Sequence, residues 1–440
     1  MRRNWCTTAA AAVAVLAVAG CVQPSTAPTD PLQRKPGQVH LYGTDGNMYN
    51  AMADPLLEEH PDALVGMKGT TPLTPLSQSF RDRLHAVDPE LRDEIYAGET
   101  YDAVVISALA AQIAKTTDPR AIAAQINGVT VGGQSCDSPA TCLPLVKAGT
   151  NIRYTGITLG FGGFTDAGEP SATTYGILRF ADNNQLDFTQ TQYVPTGNAN
   201  NATTATPPAP GPAGTGPLRI GALLPHTGDL ASAGPPMFAG GLLAVKELNQ
   251  AGGILDRPVE WVDGDDGTNK DKAIATANRL INEENVHVII GGGSSGVSKA
   301  VLPTILAGGV VLFSPCNTAA ELTTANDQGL YFRTAPPDGL QAAALTDIIM
   351  RDGVRRVAII AREDPYGRGL LDSVQEDLIA AGLAKDEVVG HAYNPDSPDF
   401  AAMAAAVKQF NPDGVLIIGF DETAKAIEEL LKVGITSINR

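Results

Sequence analysis

Alternating apolar and polar runs organise the second half of the chain. Strand-like apolar runs recur from Gly216 onwards, at Arg219–Leu224, Val259–Val262, Val286–Ile290, Val310–Phe313, Val354–Ala361, Val388–Ala392 and Gly414–Gly419. Segments with helical spacing of apolar residues separate most of them, at Met237–Gln250, Lys270–Glu284, Val297–Ala307, Gly367–Ala381 and Glu422–Val433. This alternation predicts an α/β fold of doubly wound parallel sheets covered by helices. We therefore expect ligand loops at the carboxyl ends of the strands.

The first part of the chain, residues 39–195, has a less regular pattern. A strand at His40–Tyr42 runs into a Gly-Thr-Asp-Gly turn, and a helix is predicted at Tyr101–Lys115. Further on, Thr173–Phe180 and Gln185–Thr189 have the pattern of a β-hairpin. Residues 196–216 are rich in Asn, Ala, Thr, Pro and Gly and lack periodic apolar positions, which predicts a linker.

The N-terminus has the pattern of a secretory leader. Two arginines precede the apolar run Ala9–Val18, which is too short to span a bilayer. The stretch Leu16–Cys21 resembles a bacterial lipobox, which implies a signal peptide at residues 1–20 and a lipid on Cys21. Ordinary secretion with Cys21 incidental is the alternative. Residues 21–38 are predicted to be a flexible tether.

Charge and cysteine content exclude several classes of function. The 440 residues include 31 basic and 48 acidic ones, giving a net charge of −17, which disfavours nucleic-acid binding. Cys136 and Cys142 flank a short loop and are expected to form a disulfide, two free thiols being the alternative. Cys316 has no evident partner. No metal-ligand motif occurs, and we predict neither a metal nor a cofactor.

The run Gly291–Gly296 matches the G-x-G-x-x-G pattern of dinucleotide-binding loops. The acidic residue expected at the end of the next strand is absent, because Val310–Phe313 leads into Ser-Pro. The pattern alone is therefore weak evidence for a nucleotide. Exposed N–H groups at a helix start still attract any anion, including a carboxylate.

Several motifs of the second half occur together in one known family. They are Ile220–Gly228, Ala244–Asn249 followed by Gly252–Leu255, Ser314–Thr318 and Asp364–Gly367. In this order and spacing, residues 217–440 resemble the first half or more of the type I periplasmic solute-binding proteins, the leucine/isoleucine/valine-binding group. The resemblance implies two lobes that close on a ligand by a hinge, each a parallel sheet flanked by helices.

Residues 39–195 resemble the last third of the same family, through Gly43–Gly46, Gly66–Thr70, Tyr101–Val104 and Gly149–Gly168. The order implies one circularly permuted protein, with residues 196–216 joining the old termini. Two truncated copies in tandem, or a domain-swapped dimer, are the alternatives. The implied lobe 1 comprises about 217–334 plus 68–162, and the implied lobe 2 comprises about 335–440 plus 39–67 and 163–195.

The resemblance also implies roles for individual residues. Ser294 and Ser295, together with Asn317 and Thr318, would hold an amino acid's α-carboxylate. Helix capping is the alternative role of the two serines. Asp45 would face the ammonium group, although an Asp-Gly turn residue is the alternative.

Aromatic walls could come from two residues that directly follow strands. These are Tyr366 and Phe420. Phenylalanines in such positions also often complete a core, which is the alternative for Phe420.

The expected function is that of a lipid-anchored, extracytoplasmic binding protein of an ABC importer. It would capture a branched-chain amino acid or a similar small polar metabolite and pass it to a membrane permease. A ligand sensor signalling to a separate membrane partner, for amides, urea or amino acids, is the alternative. An enzyme would need Ser294 or Ser295 as nucleophile with His226 as base, outside any G-x-S-x-G elbow, and we predict no enzyme.

Overall fold

The computed structural model describes residue 35 and residues 37–209 and 216–438. Residues 1–34 lie outside these ranges, and with them the expected signal peptide and Cys21. Contacts divide the chain into Met1–Lys35 and Pro36–Arg440, and the helices and strands of the described residues belong to the second unit. Among the described helices, none is both long enough and apolar enough to cross a membrane.

The elements alternate as the sequence pattern predicts. The strands are β1 (Gln38–Gly43), β2 (Lys68–Pro72), β3 (Gln134–Cys136), β4 (Ile152–Tyr154), β5 (Ala172–Arg179), β6 (Gln192–Gly197), β7 (Arg219–Leu223), β8 (Glu260–Val262), β9 (Val288–Gly291), β10 (Val311–Ser314), β11 (Tyr331–Arg333), β12 (Val357–Arg362), β13 (Val388–Tyr393), β14 (Gly414–Ile418) and β15 (Thr436–Ser437). The α-helices are α1 (Gln78–His85), α2 (Ala97–Ala114), α3 (Pro119–Val129), α4 (Pro139–Lys147), α5 (Gly234–Gln250), α6 (Lys270–Asn282), α7 (Ser295–Gly308), α8 (Asp338–Arg351), α9 (Pro365–Ala380), α10 (Phe400–Phe410) and α11 (Thr423–Lys432).

The first lobe is built on a parallel sheet with the strand order β11-β10-β9-β7-β8. Its strands are apolar on both faces, as is expected when helices cover both sides. On β9, Val288 and Ile290 pack into the hydrophobic cluster that contains α2, whereas Ile289 packs into the cluster of α6 and α7. This alternation follows from the two-residue period of a strand.

Helix α2 belongs to the first part of the chain but packs in the first lobe. It contacts α3, α4 and α5 as well as β9 and β10. Its residues are buried almost all round, which is typical of a helix at the centre of a domain. The core of this lobe is therefore assembled from both halves of the chain.

The second lobe is built on a larger sheet with the order β13-β12-β14-β1-β2-β5-β6, in which β15 also pairs with β1. Strand β1 lies between β14 and β2 and is parallel to both, with His40 opposite Gly414. Strand β5 runs antiparallel to both of its neighbours, β2 and β6, so this sheet is mixed. On the side away from β2, the partner of β5 is β6. The expected partner, Gln185–Thr189, contributes an isolated bridge in which Leu186 pairs with Phe180.

The position of β2 corrects one expected lobe boundary. We expected residues 68–162 in the first lobe, but Lys68 pairs with Tyr42 of β1 and β2 also pairs with β5. These ladder hydrogen bonds hold Lys68–Pro72 in the second lobe. The chain therefore crosses to the first lobe after β2, before α1, which contacts α5.

The described part of the expected linker at residues 196–216 is ordered against the first lobe. Strand β6 reaches Gly197 in the second lobe. Beyond it, Thr203 N–H donates to Phe164 O at 2.7 Å, and Gln125 Nε2 on α3 donates to Pro208 O at 2.9 Å. The linker thus leaves the edge of one lobe and packs on a helix of the other.

Candidate functional site

A cavity lies between the two lobes, at the carboxyl ends of their parallel strands. Loops after β7, β9 and β10 of the first lobe meet loops after β1, β12 and β14 of the second. The lining residues are Asp45, Gly46, Tyr96, Leu230, Gly293, Ser294, Ser295, Cys316, Thr318, Tyr366 and Phe420. Residues far apart in sequence are thus brought to one place by the strand-end geometry that the alternating pattern predicts.

The two serines lie at the start of α7. Ser294 is its N-cap, and its Oγ accepts the N–H of Val297 at 3.2 Å. Ser295 Oγ accepts the N–H of Ala319 at 3.2 Å. A serine hydroxyl that accepts one hydrogen bond still has its own proton to donate. Capping and lining the cavity therefore coexist at Ser294.

Thr318 and Asn317 differ in what their side chains contact. The Oγ1 of Thr318 is buried and has no hydrogen-bond partner among the described residues. Asn317 Nδ2 donates to Gly292 O at 2.9 Å and to Gly293 O at 3.3 Å. Asn317 therefore ties two loops together and its side chain does not line the cavity, which differs from our expectation of a direct ligand contact.

Asp45 is the acidic group of the cavity and is only 4% exposed. Its carboxylate accepts hydrogen bonds from Tyr96 OH at 2.5 Å, Gln341 Nε2 at 2.7 Å and Tyr366 OH at 2.8 Å. Burial raises the pKa of Asp45, while these donors act in the opposite direction. The carboxylate is thus desolvated and rigidly held, which makes it a strong partner for a cation entering the cavity.

The two aromatic residues form one wall. The rings of Tyr366 and Phe420 stack with centroids 5.6 Å apart and an interplanar angle of 10°. The guanidinium of Arg362 lies over the Phe420 ring, 3.9 Å from its centroid. The hydroxyl of Tyr366, whose one proton goes to Asp45, accepts a hydrogen bond from Thr44 Oγ1 at 2.7 Å. Both aromatic side chains are fixed by neighbours in the second lobe.

The cavity has a volume of about 10 Å³. That is room for about one water molecule. A molecule as large as an amino acid could enter only if the lobes separate or the lining side chains rearrange. The arrangement is therefore that of a closed pair of lobes.

Four residues of the site are not among the site residues that the sequence predicts. Tyr96 precedes α2 with a left-handed backbone (φ 62°), and Gln341 lies on α8, where no motif marks it. Leu230 follows the first glycine loop, and Cys316 lies inside the Ser314–Thr318 motif. A motif search could have included Cys316, whereas Tyr96 and Gln341 reach Asp45 only through tertiary packing.

The expected disulfide is present in the first lobe. Cys136 at the end of β3 is bonded to Cys142 on α4, with Cα atoms 5.3 Å apart. Cys316 is a free, buried cysteine, as its lack of a partner in the sequence predicts.

Comparisons with known proteins place this geometry in a family. The chain is 31% identical over 206 residues to the Leu/Ile/Val-binding protein BraC3 of Rhizobium johnstonii, covering 46% of this chain and 54% of that protein. It is 27% identical over 220 residues to the "Amino acid binding protein" of Pseudomonas aeruginosa, covering 50% and 58%. The chain spans about half the length of the curated relatives it matches.

The chain is also similar to a solved structure. The leucine-binding protein LivK of Thermotoga maritima matches with 27% identity and a TM-score of 0.41, over 46% of this chain and 55% of that one. Residues 217–439 match the family model described as "Periplasmic binding protein". Since that match covers half of the chain, the protein belongs to the periplasmic binding protein family.

Proposed function

We propose that this protein captures a branched-chain amino acid, or a similar small polar metabolite, between its two lobes. The supporting observation is the cavity at which Ser294 and Thr318 of the first lobe meet Asp45 and Tyr366 of the second. Hydroxyl donors opposite a carboxylate suit a ligand with both a carboxylate and an ammonium group. Because the two sets belong to different lobes, such a ligand would favour the closed form.

In the proposed complex, each part of the ligand has its own contacts. The hydroxyls of Ser294, Ser295 and Thr318 would hold the α-carboxylate beside the N-terminus of α7, where the helix dipole favours an anion. The carboxylate of Asp45 would pair with the ammonium group. The stacked rings of Tyr366 and Phe420, together with Leu230, would pack on the side chain.

Catalysis is not part of the proposal. The family consists of binding proteins, which confirms the prediction of a binding protein in place of an enzyme. The base that an enzyme would need, His226, has its ring stacked on Phe238 with centroids 3.7 Å apart.

We further propose that the protein is the extracytoplasmic component of an ABC importer and delivers its ligand to a membrane permease. The names of the relatives, Leu/Ile/Val-binding proteins, support an amino acid as cargo. The leader-like sequence before Cys21 supports export and a lipid anchor. Mass spectrometry of membrane-extracted protein would test the anchor. A lipid mass on Cys21 that is lost in Cys21→Ala is expected, and an unlipidated mature chain would refute it.

We propose as well that the chain is a circular permutation of its relatives. In support, the family match begins at residue 217, and β1 of the first part completes the sheet beside β14 of the second. In the proposed order, residues 39–195 correspond to the end of a relative and residues 217–440 to its beginning.

A ligand screen tests the proposed function. The mature chain would be heated with leucine, isoleucine or valine, and separately with amides, urea and polyamines. A ligand present at about 100 times its dissociation constant stabilises the folded state by about 2.7 kcal/mol, which shifts the melting temperature measurably. Calorimetry would then give the affinity. If no amino acid shifts the melting temperature at millimolar concentration, amino-acid binding is refuted.

A further inference from the structure

A second set of contacts, outside the cavity, joins the two lobes. The backbone N–H of Asp421, after β14, donates to Asp229 O, after β7, at 2.9 Å. Ser232 Oγ of the first lobe donates to Asp421 Oδ2 at 2.9 Å. The other carboxylate oxygen of Asp421 accepts Tyr49 OH, from its own lobe, at 2.6 Å. The carboxylate of Asp421 is thus held by one side chain from each lobe, and its backbone N–H makes a further contact between the lobes.

Apolar packing accompanies these hydrogen bonds. The loop after β7 and the first turn of α5 contribute buried residues to the hydrophobic cluster of the second lobe. They include Leu230, Ala233, Met237 and Phe238. Since these residues belong to the first lobe by chain and sheet, separating the lobes would expose them to water.

Arg362 connects this interface with the wall of the cavity. Its guanidinium is the cation of an ion cluster, with Nε 2.6 Å from Asp364 Oδ2 and Nη1 2.7 Å from Glu422 Oε1. Its Nη2 lies 3.8 Å from Asp229 Oδ2 across the lobes. The same guanidinium covers Phe420. The interlobe contact and the aromatic wall therefore share one buried cation.

We propose that Ser232, Asp229, Asp421 and Arg362 form an interlobe latch that sets the lifetime of the closed state. These are positioning residues, because none of them lines the cavity. When the lobes separate, Asp421 keeps the hydrogen bond from Tyr49 and loses the one from Ser232. The hydrogen bond from Ser232 therefore favours the closed state. The pair of Arg362 with Asp229 contributes less, because the Asp229 side chain is 47% exposed and solvent screens it.

The latch is tested first without any ligand. X-ray scattering would compare the radius of gyration of the wild type with that of Ser232→Ala and Asp229→Asn. Ser373→Ala is the matched control, since Ser373 Oγ donates only to Gly369 O within α9, at 2.9 Å. We expect Ser232→Ala to increase the radius, Asp229→Asn to increase it less, and the control to match the wild type.

The kinetic test rests on the proposed function. With an amino acid identified by the ligand screen, stopped-flow measurements should show the dissociation rate of Ser232→Ala raised by about tenfold, the size expected for one hydrogen bond to a charged group. The association rate should change little. If both the radius and the dissociation rate of Ser232→Ala match those of Ser373→Ala, the latch is refuted. A protein that binds no amino acid would refute the proposed function, while the scattering comparison would still decide the latch.

Discussion

Asp45→Asn separates a charge effect from a shape effect in the proposed site. The change keeps the side chain's size but removes its negative charge and replaces one acceptor oxygen with an NH2 group. In the wild type, Tyr96, Gln341 and Tyr366 all donate to this carboxylate. The variant would therefore lose the partner of a ligand ammonium and also disturb a network that exists without ligand.

The two effects have different magnitudes and appear in different measurements. Removing one partner of a buried, hydrogen-bonded charge pair costs about 2–5 kcal/mol of binding free energy, which raises the dissociation constant about 30-fold to about 4,000-fold. A buried donor left without an acceptor costs about 1–3 kcal/mol of folding free energy. The second cost is present in the free protein and in the complex, so it affects the melting temperature more than the affinity.

Calorimetry with two ligands distinguishes them. We expect Asp45→Asn to weaken binding of leucine by the full amount. Binding of the corresponding 2-hydroxy acid, which lacks the ammonium group, should be weak in the wild type and nearly unchanged in the variant. An unchanged affinity for leucine, or equal losses for both ligands, would show that Asp45 is not the ammonium partner.

The pH dependence gives an independent check on Asp45. Burial raises the pKa of its carboxyl above the usual range, so the group becomes protonated at a higher pH than an exposed aspartate. Only the ionised form can pair with an ammonium group. The affinity of the wild type should therefore weaken as pH falls through this raised pKa, whereas that of Asp45→Asn should not follow the same profile.

Three further measurements test the fold. Residues 39–195 and 217–440, expressed apart, should each be unstable but should associate on mixing, because β1 must insert between β14 and β2; two independently cooperative unfolding transitions would contradict this. Glu99 is 5% exposed, and burial raises its pKa to about 8. The folded state thus binds its proton more tightly, and this group's contribution to stability falls by about 1.4 kcal/mol per pH unit between about pH 5 and pH 8. Denaturation of Glu99→Gln should show a flatter pH profile, and parallel profiles would be contrary evidence. Cys136→Ser removes the disulfide that closes a loop of six positions, and should lower the free energy of unfolding by about 2 kcal/mol under oxidising conditions. An equal melting temperature of the wild type with and without reductant would refute a stabilising disulfide.

The sequence predicts the architecture well because apolar periodicity reports which face of each element is buried. It also identifies most of the cavity, since Ser294, Tyr366 and Phe420 lie shortly after strands whose ends converge. Its failures concern pairing. The strand that completes the β5 hairpin contains Pro195 and is exposed at the sheet edge, where proline is tolerated and apolar alternation is weak.

Contacts made through tertiary packing are likewise beyond the sequence. Gln341 contacts Asp45 from a position 296 residues away, and Tyr96 contacts it from an unusual backbone conformation. Neither residue has a local pattern that distinguishes it from an ordinary helix or loop residue. The contacts of the Asn317 side chain are tertiary for the same reason, because they include a backbone carbonyl of another loop.

The described part of the linker has a mechanical consequence. Within the described residues, the backbone passes between the lobes at four places: after β2, before β5, between β6 and Thr203, and between β11 and α8. The third of these exists because the linker leaves Gly197 and packs on α3. When one lobe rotates away from the other, all four connecting segments must bend together, or the linker must lose its hydrogen bonds to Gln125 and Phe164. The linker at the sheet edge therefore restricts the axis of lobe opening, in addition to the hinge. The amplitude of opening depends on how strongly residues 203–208 bind to the first lobe.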